Sequence, residues 1–363
     1  MQKPLTVLHL ITGLGTGGAE RMLTRIVTNS HDPDIRHIVV SMTNVGGFGA
    51  EIEAAGVVLY QLDMKGALST PSALIKLFKI SKIEHVDIVQ TWLYHADLVG
   101  TLFSKLCFFK GKLLWNLRCS DMDRKRYKRY TRILAMLSGI PEMILANSNA
   151  GHCYHQKLGY KPKQWRVLPN GIDVEQFKPD LGGRQRLQAL LGTQDSDILV
   201  GVVARTDPMK AHGLFLKAYA RAKVENPNIK VVLLGRGTEK YSGIPGVHVL
   251  GERSDVSQII AGFDALYMPS YSEGFPNVVG EAMACGIPCV VTDVGDAGMI
   301  VDGTGFVVRP DDLDAMTEGL DKICALSPAK RQKLGKAARK RVVDNWSLPK
   351  IIDDYNQLYM GLV

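Results

Sequence analysis

No run of about 18 uncharged apolar residues occurs in the chain, so no helix is expected to span a bilayer. Met1-Gln-Lys-Pro passes straight into a strand-like stretch, without the pattern of a signal peptide, and a cytoplasmic protein is expected. Cysteine is sparse: six residues stand at 107, 119, 153, 285, 289 and 324. Only Cys285 and Cys289 are close, and one ends a helical stretch while the other opens a strand. With no second pair and no clustered histidine, zinc is not expected, and the six read as reduced core thiols. Charged residues make up 22% against 46% hydrophobic, a folded composition, and 363 residues suit two ordinary domains. Acid is short in the first half. Up to Asn170 there are 22 Lys and Arg against 12 Asp and Glu, and beyond it 22 against 24. The net charge of +8 therefore belongs to the first half and favours an anionic partner there: a lipid surface, nucleic acid or a phosphorylated acceptor.

What is present is a regular alternation. Leu5–Ile11 is a short apolar run suited to a buried parallel strand. Strand-like runs follow at His37–Ser41, Val57–Leu62, Asp87–Thr91, Leu113–Asn116 and Met143–Ala146, with helical segments between. A second series opens at Ile198–Ala204 and continues at Lys230–Gly235, in the stretch Val247-His-Val-Leu-Gly-Glu-Arg253-Ser-Asp255, and at Leu266–Pro269 and Cys289–Thr292. Such alternation builds α/β doubly wound parallel sheets, whose ligand edge lies at the strand carboxyl ends. Asp312–Leu326, Pro328–Asp344 and Leu348–Leu362 are helical by period.

Between the first strand and its helix, Gly13, Gly15 and Gly18 match Gly-x-Gly-x-x-Gly. A nicotinamide-binding domain would also need an acid at the end of the second strand. That strand ends in Met-Thr-Asn, and Asp32 and Asp34 lie at its wrong end, so a dehydrogenase is disfavoured.

The most informative stretch runs Ser270-Tyr-Ser-Glu273-Gly274-Phe275-Pro276-Asn277-Val278 through Glu281 to Cys285-Gly286-Ile-Pro288. After a buried strand, a turn-rich loop feeds a helix that Asn277 is placed to cap, and Gly286 and Pro288 stop that helix. A loop of backbone N–H groups entering a helix suits a phosphate. Glu273 and Glu281 can accept hydrogen bonds from hydroxyls, so the ligand combines phosphate and sugar. Two solvated glutamates on an ordinary turn are the plain alternative. Upstream, Arg205 and Lys210 follow the Ile198–Ala204 strand at a helix start, the geometry of a diphosphate clamp. No Asp-x-Asp pair suited to a metal–diphosphate site stands beside this loop, and no metal or cofactor is expected.

Glu273-x7-Glu281 followed by Ala-Met-Ala-Cys285-Gly-Ile-Pro resembles the signature of the family-4 retaining glycosyltransferases. The resemblance implies the GT-B fold: two Rossmann-like parallel-sheet domains facing across a cleft, residues 1–170 and 171–345, with a helix over 346–363 crossing back. Pro169-Asn170-Gly171-Ile-Asp173 resembles the family's domain hinge. By resemblance Glu281 holds the ribose, Glu273 meets donor-sugar hydroxyls, and the Gly274-Phe275-Pro276-Asn277-Val278 backbone meets diphosphate or sugar. The loop with Gly15, Gly17 and Gly18 approaches the donor, and the loop of Arg253 contacts the base. His95, just after the Asp87–Thr91 strand, faces the 6-position of the sugar. The activity implied is retaining, metal-independent transfer from a UDP- or GDP-sugar to a glycan or lipid-linked acceptor in surface polysaccharide synthesis. The chain departs from the family in a short polar loop at Gly237–Pro245 and in Gly295-Asp296-Ala-Gly-Met299, where Glu is common in place of Met299. A UDP-sugar epimerase of the same fold is the enzyme rival, and a degenerate GT-B partner subunit the non-enzyme one. The intact set of Arg205, Lys210, Glu273 and Glu281 argues against degeneracy.

Two features concern the acceptor side. Arg118, just after the Leu113–Asn116 strand, suits an acceptor phosphate. Arg124, Lys125, Arg126, Lys128, Arg129 and Arg132 are six cations within nine residues, close after the apolar Leu102–Phe109 run. A solvated helix face is the plain reading; docking on an anionic membrane surface is its rival and is favoured here. No nucleic-acid motif accompanies the charge.

Overall fold

A computed structural model gives the structure of the chain; it describes residues 3–15, 17–118 and 124–362, with 124–126 described by backbone alone. The chain forms two compact units, one taking residues up to Gly171 together with those from Leu348 onward, the other Ile172–Ser347.

The first unit contains β1 (Leu5–Ile11), α1 (Gly18–Asn29), β2 (Ile35–Ser41), α2 (Gly49–Ala54), β3 (Val58–Gln61), α3 (Thr70–Ile83), β4 (Ile88–Trp92), α4 (Tyr94–Leu106), β5 (Lys112–Leu117), α5 (Arg124–Leu137), β6 (Met143–Ala146), α6 (Asn149–Lys157) and β7 (Trp165–Val167). Its seven strands lie in the order β3-β2-β1-β4-β5-β6-β7 and pair in parallel. The second unit contains α7 (Gly183–Leu191), β8 (Ile198–Val203), α8 (His212–Glu225), β9 (Ile229–Leu234), β10 (Val247–Gly251), α9 (Val256–Ile260), β11 (Ala265–Met268), α10 (Asn277–Ala284), β12 (Cys289–Thr292), α11 (Ala297–Val301), β13 (Phe306–Val308), α12 (Leu313–Cys324) and α13 (Pro328–Trp346). Its six strands lie in the order β10-β9-β8-β11-β12-β13, again all parallel. The last helix, α14 (Leu348–Met360), packs in the first unit. These are the two doubly wound sheets the alternation predicts, and each reverses strand order once: between β1 and β4, and between β8 and β11. Ligands bind outside the carboxyl ends of strands at such reversals.

The reason for the sheets is burial on both faces. Every residue of β1 is buried, as is every residue of β4, β6, β11 and β12, a pattern that helices on both sides produce. On one face of the first sheet, Met22, Leu23, Ile26 and Val27 of α1 pack with Ile351, Ile352, Tyr355 and Tyr359 of α14. The tyrosine hydroxyls of α14 are satisfied: Tyr359 donates to Gln90 Oε1 at 2.5 Å and Tyr355 accepts from Asn116 Nδ2 at 3.1 Å. Under this helix, Trp92 Nε1 donates to His9 Nδ1 at 3.2 Å, and His9 Nε2 lies 2.9 Å from His37 Nδ1. With His9 Nδ1 accepting, its Nε2–H is the donor to His37. Burial holds His9 well below the usual imidazole range, with the nearby His37 adding to the effect, and pulls His37 down to about 4.

Two expectations need correction. Cys285, Cys289 and Cys324 are buried thiols, but Cys107 is half-buried and Cys153 exposed; Cys119 lies outside the described residues. Cys153 falls on the outer face of α6, which only the folded helix reveals. The Leu102–Phe109 run also divides. Phe103 is buried and Phe109 packs on it at 5.3 Å, whereas Phe108 takes a left-handed backbone (φ +50°) that swings its ring outward, 85% exposed. Leu106 is exposed too. Among the described residues, no helix is long and apolar enough to cross a membrane.

Candidate active site

In the second unit, the functional side chains sit on the loops after β8, β11 and β12. The loop after β8 carries Arg205 and turns through a 3-10 segment, Pro208–Lys210, into α8. Asp207 caps that segment by accepting from Met209 N at 2.9 Å. That backbone bond, with Arg205 beside it, holds the Asp207 carboxyl below the usual carboxylate range. The segment presents Lys210 toward the loop after β11, and Lys210 Nζ meets Glu273 Oε1 at 2.5 Å. Both side chains are largely shielded. Ser270 Oγ donates to the same Glu273 oxygen at 2.6 Å. One Glu273 oxygen thus accepts from a cation and a hydroxyl, from elements 63 and 3 residues away.

Arg205 does not join this pair. Its Nη2 reaches Asp207 Oδ2 at 3.2 Å and its side chain is well exposed. Arg253 is engaged bidentately by Asp255, at 2.7 Å from both Nε and Nη2.

The helix entry differs from expectation in one respect. Pro276 occupies the position before α10, and the helix starts at Asn277, with no side-chain cap on its first turn. Asn277 is therefore the first helical residue and not the N-cap, and Val279 N donates to Pro276 O at 3.1 Å. Gly274 and Val278 flank this entry. The Phe275 ring is buried against Trp346, 5.9 Å between centroids, so it anchors the loop from beneath. Glu281 is buried on α10.

Sequence reasoning missed the brace behind this loop. Gly295, after β12, has φ +60°, and a Cβ there would collide with the Glu273 carbonyl and come within 2.6 Å of that of Gly274. Asp296 N then donates to Gly274 O at 2.9 Å. Thr292 Oγ1 donates to Ser270 O at 2.6 Å, and Tyr271 N to Met209 O at 2.8 Å. Three loops are thereby tied through their backbones. A glycine at a strand's end was the one available signal.

The first unit holds a separate pocket of about 330 Å³ at the carboxyl ends of β1, β2, β4 and β5, lined by residues that include Gly13, Gly15, Glu20, His95, Arg118 and Tyr127. His95 lies in the first turn of α4, its ring 4.5 Å from that of Tyr130 and 6.2 Å from Tyr127, both on α5. Leu93, just before α4, has φ +73°, a strained conformation for a leucine and of the kind that clusters at functional sites. Gly17 precedes α1 and Gly18 opens it. Gly15 and Gly18 have room for a Cβ, so packing within the protein does not require glycine at either.

Arg118 Nη1 donates to Asn116 Oδ1 at 3.4 Å and Tyr355 Oη at 3.3 Å, Nη2 donates to Asn170 Oδ1, and the guanidinium lies 5.1 Å from the Trp92 ring. Lys128, Arg129 and Arg132 are exposed on α5; the side chains of Arg124 and Lys125 lie outside the described residues. Among the described residues, no group of three or more His, Cys, Asp or Glu is arranged to hold a metal ion.

Comparison with known proteins agrees with this geometry. Residues 197–325 match the family described as Glycosyl transferases group 1, and residues 16–176 match Glycosyltransferase Family 4. The UDP-Gal:alpha-D-GlcNAc-diphosphoundecaprenol alpha-1,3-galactosyltransferase of Escherichia coli is 25% identical over 316 residues, 80% of this chain and 79% of that protein. A D-inositol 3-phosphate glycosyltransferase of Rhodococcus erythropolis is 26% identical over 239 residues, 60% of this chain and 53% of that protein. HepE of Anabaena, solved in complex with UDP and glucose, superimposes with a TM-score of 0.83 at 22% identity, over 99% of this chain and 100% of that one. Fold and family together define the class, a nucleotide-sugar glycosyltransferase of GT-B fold. Within it, the chain belongs to glycosyltransferase family 4.

Proposed function

We propose that the protein transfers a hexose, with retention, from a UDP-sugar to a lipid-linked glycan acceptor in surface polysaccharide synthesis. The observation that carries the reading is the shielded Lys210–Glu273 pair, 2.5 Å apart, on the loops that lead into α8 and α10. Lys210 and the helix N–H groups supply fixed positive potential for a diphosphate. Glu273 accepts from sugar hydroxyls, and Glu281 takes the ribose. Arg205 swings from Asp207 to the diphosphate when the donor binds, and His95 addresses the transferred sugar. UDP is favoured over GDP because the HepE structure holds UDP and the E. coli relative is named for UDP-Gal. The acceptors named for the two relatives, a diphosphoundecaprenol-linked sugar and an inositol phosphate, both carry phosphate.

In the reaction, the bond from the anomeric carbon to the diphosphate oxygen breaks and one to the acceptor oxygen forms on the same face. The acceptor's hydroxyl proton passes to the departing diphosphate. Negative charge grows on that diphosphate, and Lys210 and Arg205 stabilise it without reorganisation.

The acceptor side also fits a bilayer. Lys105, Lys110, Lys128, Arg129 and Arg132 are exposed on and around α4 and α5, beside exposed Leu106, Phe108, Ile133 and Met136. Cations around protruding apolar side chains suit an anionic lipid surface.

The test is a panel of UDP- and GDP-sugars, read by calorimetric binding and by release of the nucleoside diphosphate. UDP-sugar binding and UDP release are expected, with Glu281→Ala weakening UDP by about 1.5–3 kcal/mol. No nucleotide binding sinks the reading, and interconversion of UDP-sugars without transfer would mark an epimerase instead.

A further inference from the structure

The pocket of the first unit contains a guanidinium, that of Arg118, whose charge no group among the described residues balances. Arg118 has five N–H donors, and its three hydrogen bonds all go to neutral oxygens, of Asn116, Tyr355 and Asn170. Its flat face rests on Trp92. Among the described residues no carboxylate lies within ion-pairing distance of it. A cation so shielded, with donors to spare, calls for an anion from outside.

Two neighbours define where that anion sits. Glu20 lines the same pocket, but a Cβ at Gly17 would collide with its carboxylate, so Glu20 occupies the first turn of α1. The helix end is therefore taken, and the anion belongs at Arg118. Thr12 lines the pocket as well, and its hydroxyl is buried without a partner among the described residues. Thr43 is no competitor for the anion, since its hydroxyl donates to the Thr12 carbonyl at 2.7 Å.

We infer that Arg118 and Thr12 form a subsite for a phosphate or diphosphate ester of the acceptor, with Arg118 giving its spare N–H groups and Thr12 its hydroxyl. This rests on the glycosyl-transfer reading and adds what the first unit recognises. A guanidinium fork matches phosphate oxygens, which a lysine does only as a point charge. The remaining three bonds of Arg118 fix its direction before the ligand arrives, so little side-chain freedom is lost on binding.

The experiment uses the full chain saturated with UDP, so that the phosphate-binding loops of the second unit are already occupied. Decyl diphosphate, decyl β-glucoside and inorganic pyrophosphate are titrated by calorimetry. The parent is expected to bind the diphosphate ester at least about 10-fold more tightly than the glucoside, and Arg118→Gln to lose on the order of 10- to 100-fold for the ester alone. Because Arg118 also braces Tyr355 and Asn170, Thr12→Val serves as a second variant that leaves the brace intact; a loss of about 3- to 10-fold for the ester is expected. A purely structural role would weaken ester and glucoside alike. Equal ester affinity in the parent and both variants overturns the inference, as does binding of pyrophosphate without the ester. Retained UDP binding throughout leaves the donor reading standing, whereas failure of the parent to bind UDP counts against that reading.

Discussion

Replacing Lys210 with alanine separates the chemistry of the site from its architecture. Lys210 Nζ lies 2.5 Å from Glu273 Oε1, with the two side chains 24% and 13% exposed. A pair this shielded lies between the exposed case, about 0–1 kcal/mol, and the buried case, about 3–5 kcal/mol when one partner is removed, so the variant should melt several degrees below the parent and still fold. Catalysis stands to lose much more. A unit charge about 4 Å from a departing phosphate oxygen is worth roughly 4 kcal/mol at an effective dielectric of about 20. Removing Lys210 also leaves the Glu273 carboxylate facing an anionic leaving group without the cation that pairs with it. Losses of single charge-stabilising donors run from about 10² to 10³ in turnover, and Lys210→Ala should fall there. The assay is continuous UDP release at saturating UDP-sugar, beside circular dichroism and melting. Near-parental turnover in a folded Lys210→Ala variant refutes the assignment of Lys210 to the leaving group.

Three more predictions rest on other parts of the molecule. Gly295→Ala forces a Cβ into a left-handed backbone against Glu273 and Gly274, at a cost of about 1–2 kcal/mol; lowered melting and turnover are expected, and no change in either disproves the brace. Lys128→Ser with Arg129→Ser should weaken sedimentation with anionic vesicles by up to about 2 kcal/mol, at roughly 1 kcal/mol per cation, and Phe108→Ser should weaken it further; binding that ignores salt and lipid charge counts against docking. Burial holds His37 and His155 at about 4, below the unfolded value of about 6.5. The unfolded chain therefore binds more protons in acid, so the stability from these groups is complete above about pH 6.5 and is lost as pH falls toward 4, on the order of 3 kcal/mol each; a urea midpoint that stays flat across that window contradicts their neutral burial.

The sheets were legible because buried parallel strands are near-continuous apolar runs, as in Met143–Ala146, which the structure reproduces with the same ends. The family motif pointed to Glu273 and the strand-to-helix placement to Lys210, but their pairing is a contact across 63 residues that no local spacing encodes. The capping role given to Asn277 failed because Pro276 takes the position before the helix, and a proline with an extended ψ ends a turn as readily as an asparagine caps one. The bracing roles of Thr292 and Gly295 were not legible because each acts on a neighbouring loop's backbone, which leaves no periodic trace. The split of the Leu102–Phe109 run into buried Phe103 and exposed Phe108 was not legible, since apolar character alone does not reveal a positive φ.

The bracing of Gly274 by Asp296 and of Tyr271 by Met209 also bears on how donor preference could change. Loops tied through main-chain groups cannot be exchanged singly, because a graft of 270–277 would arrive without the carbonyl and amide positions its neighbours require. Chimaeras that alter sugar choice should therefore take residues 205–296 as one module, with junctions just after β8 and just before α11. Drift in sequence would be tolerated at side chains facing outward from these loops, while their lengths and the glycine at 295 stay fixed.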